Sequence, residues 1–226
     1  MSAEYRPWEL MRQASEIYRG ALRAGSHDWL VSVARPLYAP FHLIFPWIPE
    51  GARVLDVGCG TGTFLLLAER LRDLGPSAGY DVNEASLRLA RAAKGQGGVR
   101  FESGSDVPDE TLSSADVISL IDVLHHLGPR ARQELLERVV SQMAPGARLI
   151  VKDLDPRPRW RATANRITDF LSTGSRVDYL GLDTLAGYLQ RQHFSIGLRE
   201  SLPRHVWAHY VLVADKHTEV REQVPA

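Results

Sequence analysis

The sequence predicts an α/β fold: a doubly wound, seven-stranded, mostly parallel sheet with a terminal antiparallel hairpin, preceded by an N-terminal helical segment. Three observations carry this. Five short apolar runs alternate with helical stretches between residues 51 and 192, the pattern of successive βαβ units. The first of those runs, Val54-Leu55-Asp56-Val57, turns sharply through Gly58, Gly60 and Gly62 into a helix. Two final strands, 194–202 and 205–214, are separated by a turn around Pro203-Arg204 that is too short for a crossover, so they pair antiparallel.

The 226 residues suit one α/β domain with additions, and 44% hydrophobic residues supply a sizeable core. Lys+Arg and Asp+Glu are both 27, so bulk electrostatics gives no reason to expect nucleic acid as a partner. Cys59 is the single cysteine, which excludes an intrachain disulfide or a cysteine-based zinc site and fits a reducing cytoplasm. Residues 1–20 carry charges throughout and do not form a signal peptide. No apolar run approaches the ~18 residues of a membrane span. The expected division is a helical segment over 1–50, a ligand-binding domain over 51–215 and a frayed tail over 216–226.

Residues 4–34 read as two helices interrupted at Gly20 and Gly25, with Leu10, Ala14, Ile17, Leu22, Trp29, Leu30 and Val33 facing inward. Pro36, Pro40, Pro46 and Pro49 predict an extended connector after them. This aromatic-rich segment is either a lid over a small-molecule pocket or a cover for the sheet.

The first strand spans 53–57. The helix after it starts near Thr63, buries Phe64, Leu65, Leu66, Leu67 and Leu71, and stops at Gly75-Pro76. The second strand, 77–82, ends at Asp81, and Asn83 caps the next helix. Asp81 lies 19 residues beyond Gly62, where an acidic side chain holds a ribose diol in βαβ nucleoside sites; the competing reading is a helix cap. The turn itself is a site for close ligand approach, because glycines remove Cβ atoms and the helix start offers unpaired N–H groups. Asp56 suits a cationic ligand better than a pyrophosphate.

The run Asp56-Val57-Gly58-Cys59-Gly60-Thr61-Gly62 resembles motif I of the class I S-adenosylmethionine (SAM)-dependent methyltransferases, D-x-G-x-G-x-G, at every fixed position. The resemblance extends over roughly 51–215. It implies a Rossmann-like domain that binds SAM and releases S-adenosylhomocysteine. Gly58, Gly60 and Gly62 would then face the methionyl and ribose parts, Asp56 would help hold the amino-acid end, and Asp81 the ribose. Cys59, Val82, Ile121 and Asp122 complete the cofactor candidates. Cys59 reads most simply as a small side chain packed under the loop. After the third strand, 99–102, Gly104-Ser105-Asp106 is one residue out of the family's register, so Asp106 or Ser105 is the adenine candidate.

The fourth strand, 115–121, is apolar almost throughout, as a strand covered on both faces should be. It leads into Asp122-Val123-Leu124-His125-His126-Leu127, which looks like motif IV of small-molecule methyltransferases. The Asn/Asp-Pro-Pro-aromatic motif of enzymes that methylate bases in nucleic acid is absent. Adjacent histidines point in different directions and lack spaced partners, so no metal is expected. Of the two, His126 reads as the structural one and His125 as the candidate general base, with the reverse open. A helix over 129–143 and a strand over 147–154 follow. Beyond that strand, Asp153 and Asp155 are base candidates, although ion pairs with Arg157, Arg159 and Arg161 explain them as well. Helices over 160–171 and 182–192, the latter capped by Gly181 or Asp183, precede the hairpin.

The expected activity is methyl transfer from SAM to oxygen or carbon of a small, largely apolar metabolite, aromatic or polyketide-like. Two alternatives stand beside it: a protein that binds SAM or a nucleoside without methylating, and a nicotinamide-dependent oxidoreductase.

Overall fold

The computed structural model describes residues 5–24, 26–155, 179–202 and 208–218. Seven strands form one sheet: β1 Val54–Val57, β2 Ala78–Asp81, β3 Arg100–Ser103, β4 Val117–Ile121, β5 Arg148–Leu154, β6 Phe194–Leu202 and β7 His209–Lys216. Their spatial order is β3-β2-β1-β4-β5-β7-β6, with β1 to β5 parallel and β7 antiparallel to both β5 and β6. The doubly wound sheet and its terminal hairpin are therefore as the sequence predicts.

Central strands must be apolar on both sides because helices cover both faces. One layer holds α1 Pro7–Ile17, α2 Ser26–Tyr38, α3 Phe41–Ile44, α4 Thr63–Arg72 and α5 Glu84–Ala93; the other holds α6 Asp109–Ser114, α7 Pro129–Gln142 and α8 Leu182–Arg191. Val54, Val117, Ile121 and Ile150 face the first layer, and Leu55, Val57, Leu120 and Val151 face the second. Asn83 caps α5 as expected, accepting from Ala85 and Ser86 N–H.

The N-terminal segment belongs to the first core. Leu10, Ala14, Tyr18, Phe41, Ile44, Phe45 and Ile48 are buried with Phe64, Leu65 and Leu67 of α4. Phe45 and Phe64 stack with ring centroids 5.6 Å apart. Two expectations fail here. The proline connector is not extended: α2 continues through Pro36 to Tyr38, and α3 and a 3₁₀ turn, Phe45–Trp47, follow. Leu30 does not face inward and is 59% exposed. Ser32, Val33 and Pro36 define the buried stripe of α2, and Leu30 falls about a quarter-turn outside it.

Three boundaries also move. Helix α4 ends at Arg72 and turns on Asp73 in the left-handed region (φ 45°), not on Gly75. Strand β7 begins at His209 and runs to Lys216, so Lys216 is not frayed. Its ammonium donates to the carbonyls of Val140 and Met143 at the end of α7, at 2.8 and 2.7 Å. Gly181, not Asp183, is the N-cap of α8. The expected helix over 160–171, the turn at Pro203-Arg204 and most of the expected tail lie outside the described residues. Among the described residues no helix is long and apolar enough to cross a membrane.

Candidate active site

The carboxyl ends of β1, β2, β4 and β5 meet at one edge of the sheet, the place where open α/β folds bind ligands. The glycine turn lies there, and its three glycines serve different ends. A Cβ on Gly58 (φ 76°) would collide with the Val123 side chain, and one on Gly62 (φ 80°) would lie 2.7 Å from Phe101 Cζ. Those two glycines allow close packing. Gly60 (φ 54°) faces open space, with Arg35 Nη1 nearest at 3.8 Å. Cys59 is buried beneath the turn against Gly79.

Asp81 fastens the turn from the next strand. Its Oδ2 accepts the Gly60 N–H and its Oδ1 accepts the Asn83 N–H, both at 2.7 Å. Beside it opens a cavity of about 570 Å³ lined by Gly58, Asp81, Val82, Ser105, Asp122, Val123, His126, Leu127, Leu135 and Arg138 among others. Its wall is mainly apolar, with a few convergent polar groups, as small-molecule sites are.

A chain of buried charges crosses the same edge. Asp122, in the left-handed region at φ 60°, accepts from Lys152 Nζ on one oxygen and from Arg35 Nη2 at 3.0 Å on the other. Burial alone would raise the Asp122 carboxyl, but Lys152 and Arg35 overcome it and hold the group well below the usual carboxylate range. Lys152 is 1% exposed, and burial lowers its ammonium despite Asp122. His125 Nδ1 meets Asp153 Oδ1 at 2.5 Å. Asp153 also accepts the His125 and Leu154 backbone N–H groups. Burial opposes the imidazolium, yet the Asp153 hydrogen bond and charge raise its pKa overall. The rings of His125 and His126 lie 4.0 Å apart; His125 is buried, whereas His126 is exposed and lines the cavity. One ligand atom each from Asp122, His125 and Asp153 falls within 4.8 Å of the others. Lys152 and Arg35 already fill both Asp122 oxygens, which disfavours a cation at that cluster.

A family model described as "Methyltransferase domain" matches residues 32–196, which takes in α2, the glycine turn, the β4 end and β5. The chain belongs to the methyltransferase-domain family. Its recognition from residues 54–62 and 115–127 as a chain of this family holds. The chain is 33% identical over 116 residues to a "Ubiquinone biosynthesis O-methyltransferase" from Xanthomonas axonopodis, covering 49% of this chain and 46% of that protein. It is 33% identical over 104 residues to "Demethylspheroidene O-methyltransferase" from Rhodobacter capsulatus, covering 46% and 26%. The chain spans about half the length, or less, of the curated relatives it matches. Among solved structures it resembles an O-methyltransferase family protein from Burkholderia thailandensis (TM-score 0.65, 18% identity, 92% of this chain and 63% of that one). It also resembles magnesium protoporphyrin IX methyltransferase from Synechocystis with bound S-adenosylhomocysteine (TM-score 0.60, 19% identity, 78% and 81%). At these identities the structures establish the fold.

Several of the predicted site residues sit elsewhere than expected. Asp56 is 1% exposed and accepts from Ser119 Oγ at 2.7 Å, so it faces the first core layer and does not line the cavity. Ile121 is a core residue of that layer. Asp106 takes Arg138 in an ion pair, and Ser105 lines the cavity in its place. Asp153 pairs with His125, and Asp155 accepts from Ser201 Oγ at 3.4 Å. Arg157, Arg159 and Arg161 lie outside the described residues. Sequence reasoning missed Arg35 and Lys152. Lys152 had a signal, a cation directly after the apolar run Leu149-Ile150-Val151 of β5. Arg35 had none, since it lies on a helix whose inward stripe is set by other residues.

Proposed function

We propose that this chain transfers the methyl group of SAM to an oxygen of a small-molecule acceptor. The observation that carries the reading is the 570 Å³ cavity at the glycine turn, with Asp81 and Val82 at its β2 side and Ser105 at its β3 side. Its size and apolar wall suit an adenosyl group. Asp81 is the candidate for the ribose and Ser105 for the adenine edge, both on the cavity wall. Arg35 is the candidate for the methionyl carboxylate: Nη2 is spent on Asp122, while Nη1 lies at the Gly60 turn. Buried Asp56 contributes field and scaffold, through Ser119, in place of direct contact. The names of the curated relatives favour oxygen over carbon as the methylated atom.

Bound SAM supplies an already activated methyl carbon. What remains for the chain's residues is to align the acceptor in line with the departing sulfur and to exclude water. His125 is buried with its Nδ1 held by Asp153, so of the two histidines it is His126 that reaches the cavity.

Thermal unfolding with SAM, S-adenosylhomocysteine and NAD tests the reading. A ligand at 100 times its Kd stabilises by about 2.7 kcal/mol, a change of a few degrees for a chain this size. A higher midpoint with both sulfur ligands and none with NAD is expected. A response to NAD alone would replace the reading with an oxidoreductase.

A further inference from the structure

We propose that Arg138 is a positioning residue for the nucleoside end of the cofactor, clamping the loop after β3 from α7 so that Gly104 and Ser105 stay on the cavity wall. This rests on the methyltransferase reading and concerns the adenine side of that same site. The loop, residues 104–108, joins β3 to α6. Its start is pinned by the Gly104 N–H, which donates to Asp81 O at 2.9 Å, and Val107 buries its side chain in the second core layer. Between those points Ser105 and Asp106 make no backbone–backbone hydrogen bond among the described residues. A stretch without such bonds samples several orientations unless something outside holds it.

Arg138 supplies the hold. Its Nη2 donates to Val107 O at 2.6 Å and to Asp109 Oδ1 at 3.0 Å, Nε reaches the same Asp109 oxygen at 3.3 Å, and Nη1 pairs with Asp106. One guanidinium thus spans three loop residues, which a planar fork of donors allows and a lysine ammonium does not. The arm is rooted, because Leu136, Val139 and Val140 on either side of it are buried and fix α7. Arg138 itself lines the cavity together with Gly104 and Ser105. The acids on that wall are engaged elsewhere: Asp81 with the Gly60 and Asn83 N–H groups, Asp122 with Lys152 and Arg35, and Glu134 with Arg130. Each ion pair of the clamp alone is worth little, since the Asp106 and Asp109 side chains are 86% and 58% exposed. The effect of the clamp is geometric. Without it the ligand itself must order Ser105, and that lost freedom weakens binding.

Adenosine is the probe, because it is uncharged and carries only the half of SAM that this loop borders; S-adenosylhomocysteine is the comparison. Calorimetry of both with the unmodified protein comes first. Arg138→Met is expected to raise the two dissociation constants by the same factor, about tenfold. Arg35→Met should raise only that of S-adenosylhomocysteine. Arg138→Lys should recover part of the loss. Arg148→Met, which removes an ion pair with Asp215 and a hydrogen bond to Trp47 O at the opposite edge of the sheet, should change neither constant. Salt separates the clamp from plain packing: between about 0.05 and 0.5 M NaCl the unmodified protein should lose adenosine affinity a few-fold as the exposed pairs are screened, and Arg138→Met should show no such loss. If Arg138→Met does not fold, Asp109→Asn and the salt series on the unmodified protein decide. Unchanged adenosine affinity in Arg138→Met, a loss confined to S-adenosylhomocysteine, or an equal loss in Arg148→Met would overturn the proposal. An unmodified protein that binds neither ligand would count against the methyltransferase reading. Hydrogen exchange would then decide the clamp: the amides of 105–107 should exchange faster in Arg138→Met, and equal rates would overturn it.

Discussion

Burial lifts the Asp56 carboxyl from 3.8 to about 7; Ser119 and Arg35 oppose the rise and Asp81 adds to it. Between those pH values the folded state binds the proton and the unfolded state does not. Its contribution to stability therefore falls as pH rises from about 4 through 7 and levels off above. Asp56→Asn should remove that slope, gaining on the parent by a few kcal/mol at pH 8 relative to pH 4, since each pH unit across that interval is worth roughly 1.4 kcal/mol; urea unfolding at the two pH values measures it. The motif made Asp56 readable as a functional acid. Its burial was not readable, because the side chain's direction depends on β1 being central, with β4 supplying Ser119. The glycines divide in the same way. Gly62→Ala must strain a positive φ and displace Phe101, and should cost about 2–3 kcal/mol. Gly60→Ala has the space and should cost about 1 kcal/mol. Both effects are read as unfolding midpoints, since the spacing that placed all three glycines says nothing of what stands above each.

Helix α4 illustrates why a correct element can have a misplaced end. Gly75 looks like a helix stop, yet its N–H is given to Ala52 O, and a Cβ there would lie 2.7 Å from Gly51 O. Close backbone approach explains that glycine. The left-handed turn falls to Asp73, which bears a Cβ and is exposed. Asp73→Gly should therefore stabilise by up to about 1 kcal/mol and raise the thermal midpoint by a few degrees. On α2, the inward and outward faces were blurred by an apolar residue at nearly every turn. Leu30→Glu should change stability by less than about 0.5 kcal/mol, while Val33→Asp, at 8% exposure, should cost several. Chemical denaturation of the pair checks the assignment of faces. Strands β1 and β4 were legible as continuous apolar runs. The connector was not, because Pro36 sits where α2 tolerates it, and periodicity cannot see past a proline.

The N-terminal segment supplies Leu10, Tyr18, Phe41, Ile44 and Phe45 to the core that also holds Phe64. A chain lacking residues 1–48 should fail to give a cooperative unfolding transition; a truncated protein that melts cooperatively and loses only acceptor binding would instead make the segment a lid. The strand order was legible in outline from alternating strands and helices. It has two non-sequential steps, β1 beside β4 and β5 beside β7; the second follows from the antiparallel register of Leu149 against Ala214 and could not be read from spacing. That step has a consequence for how the protein is made. Strand β5 is complete at residue 154, but the strand that covers its outer edge ends at 216. During synthesis an open, buried-type edge must wait for some sixty further residues, at about 5–20 residues per second. A ribosome stalled in that interval, or a premature stop before Val211, would release a nascent chain with a sticky sheet edge and put it in the hands of chaperones and proteases.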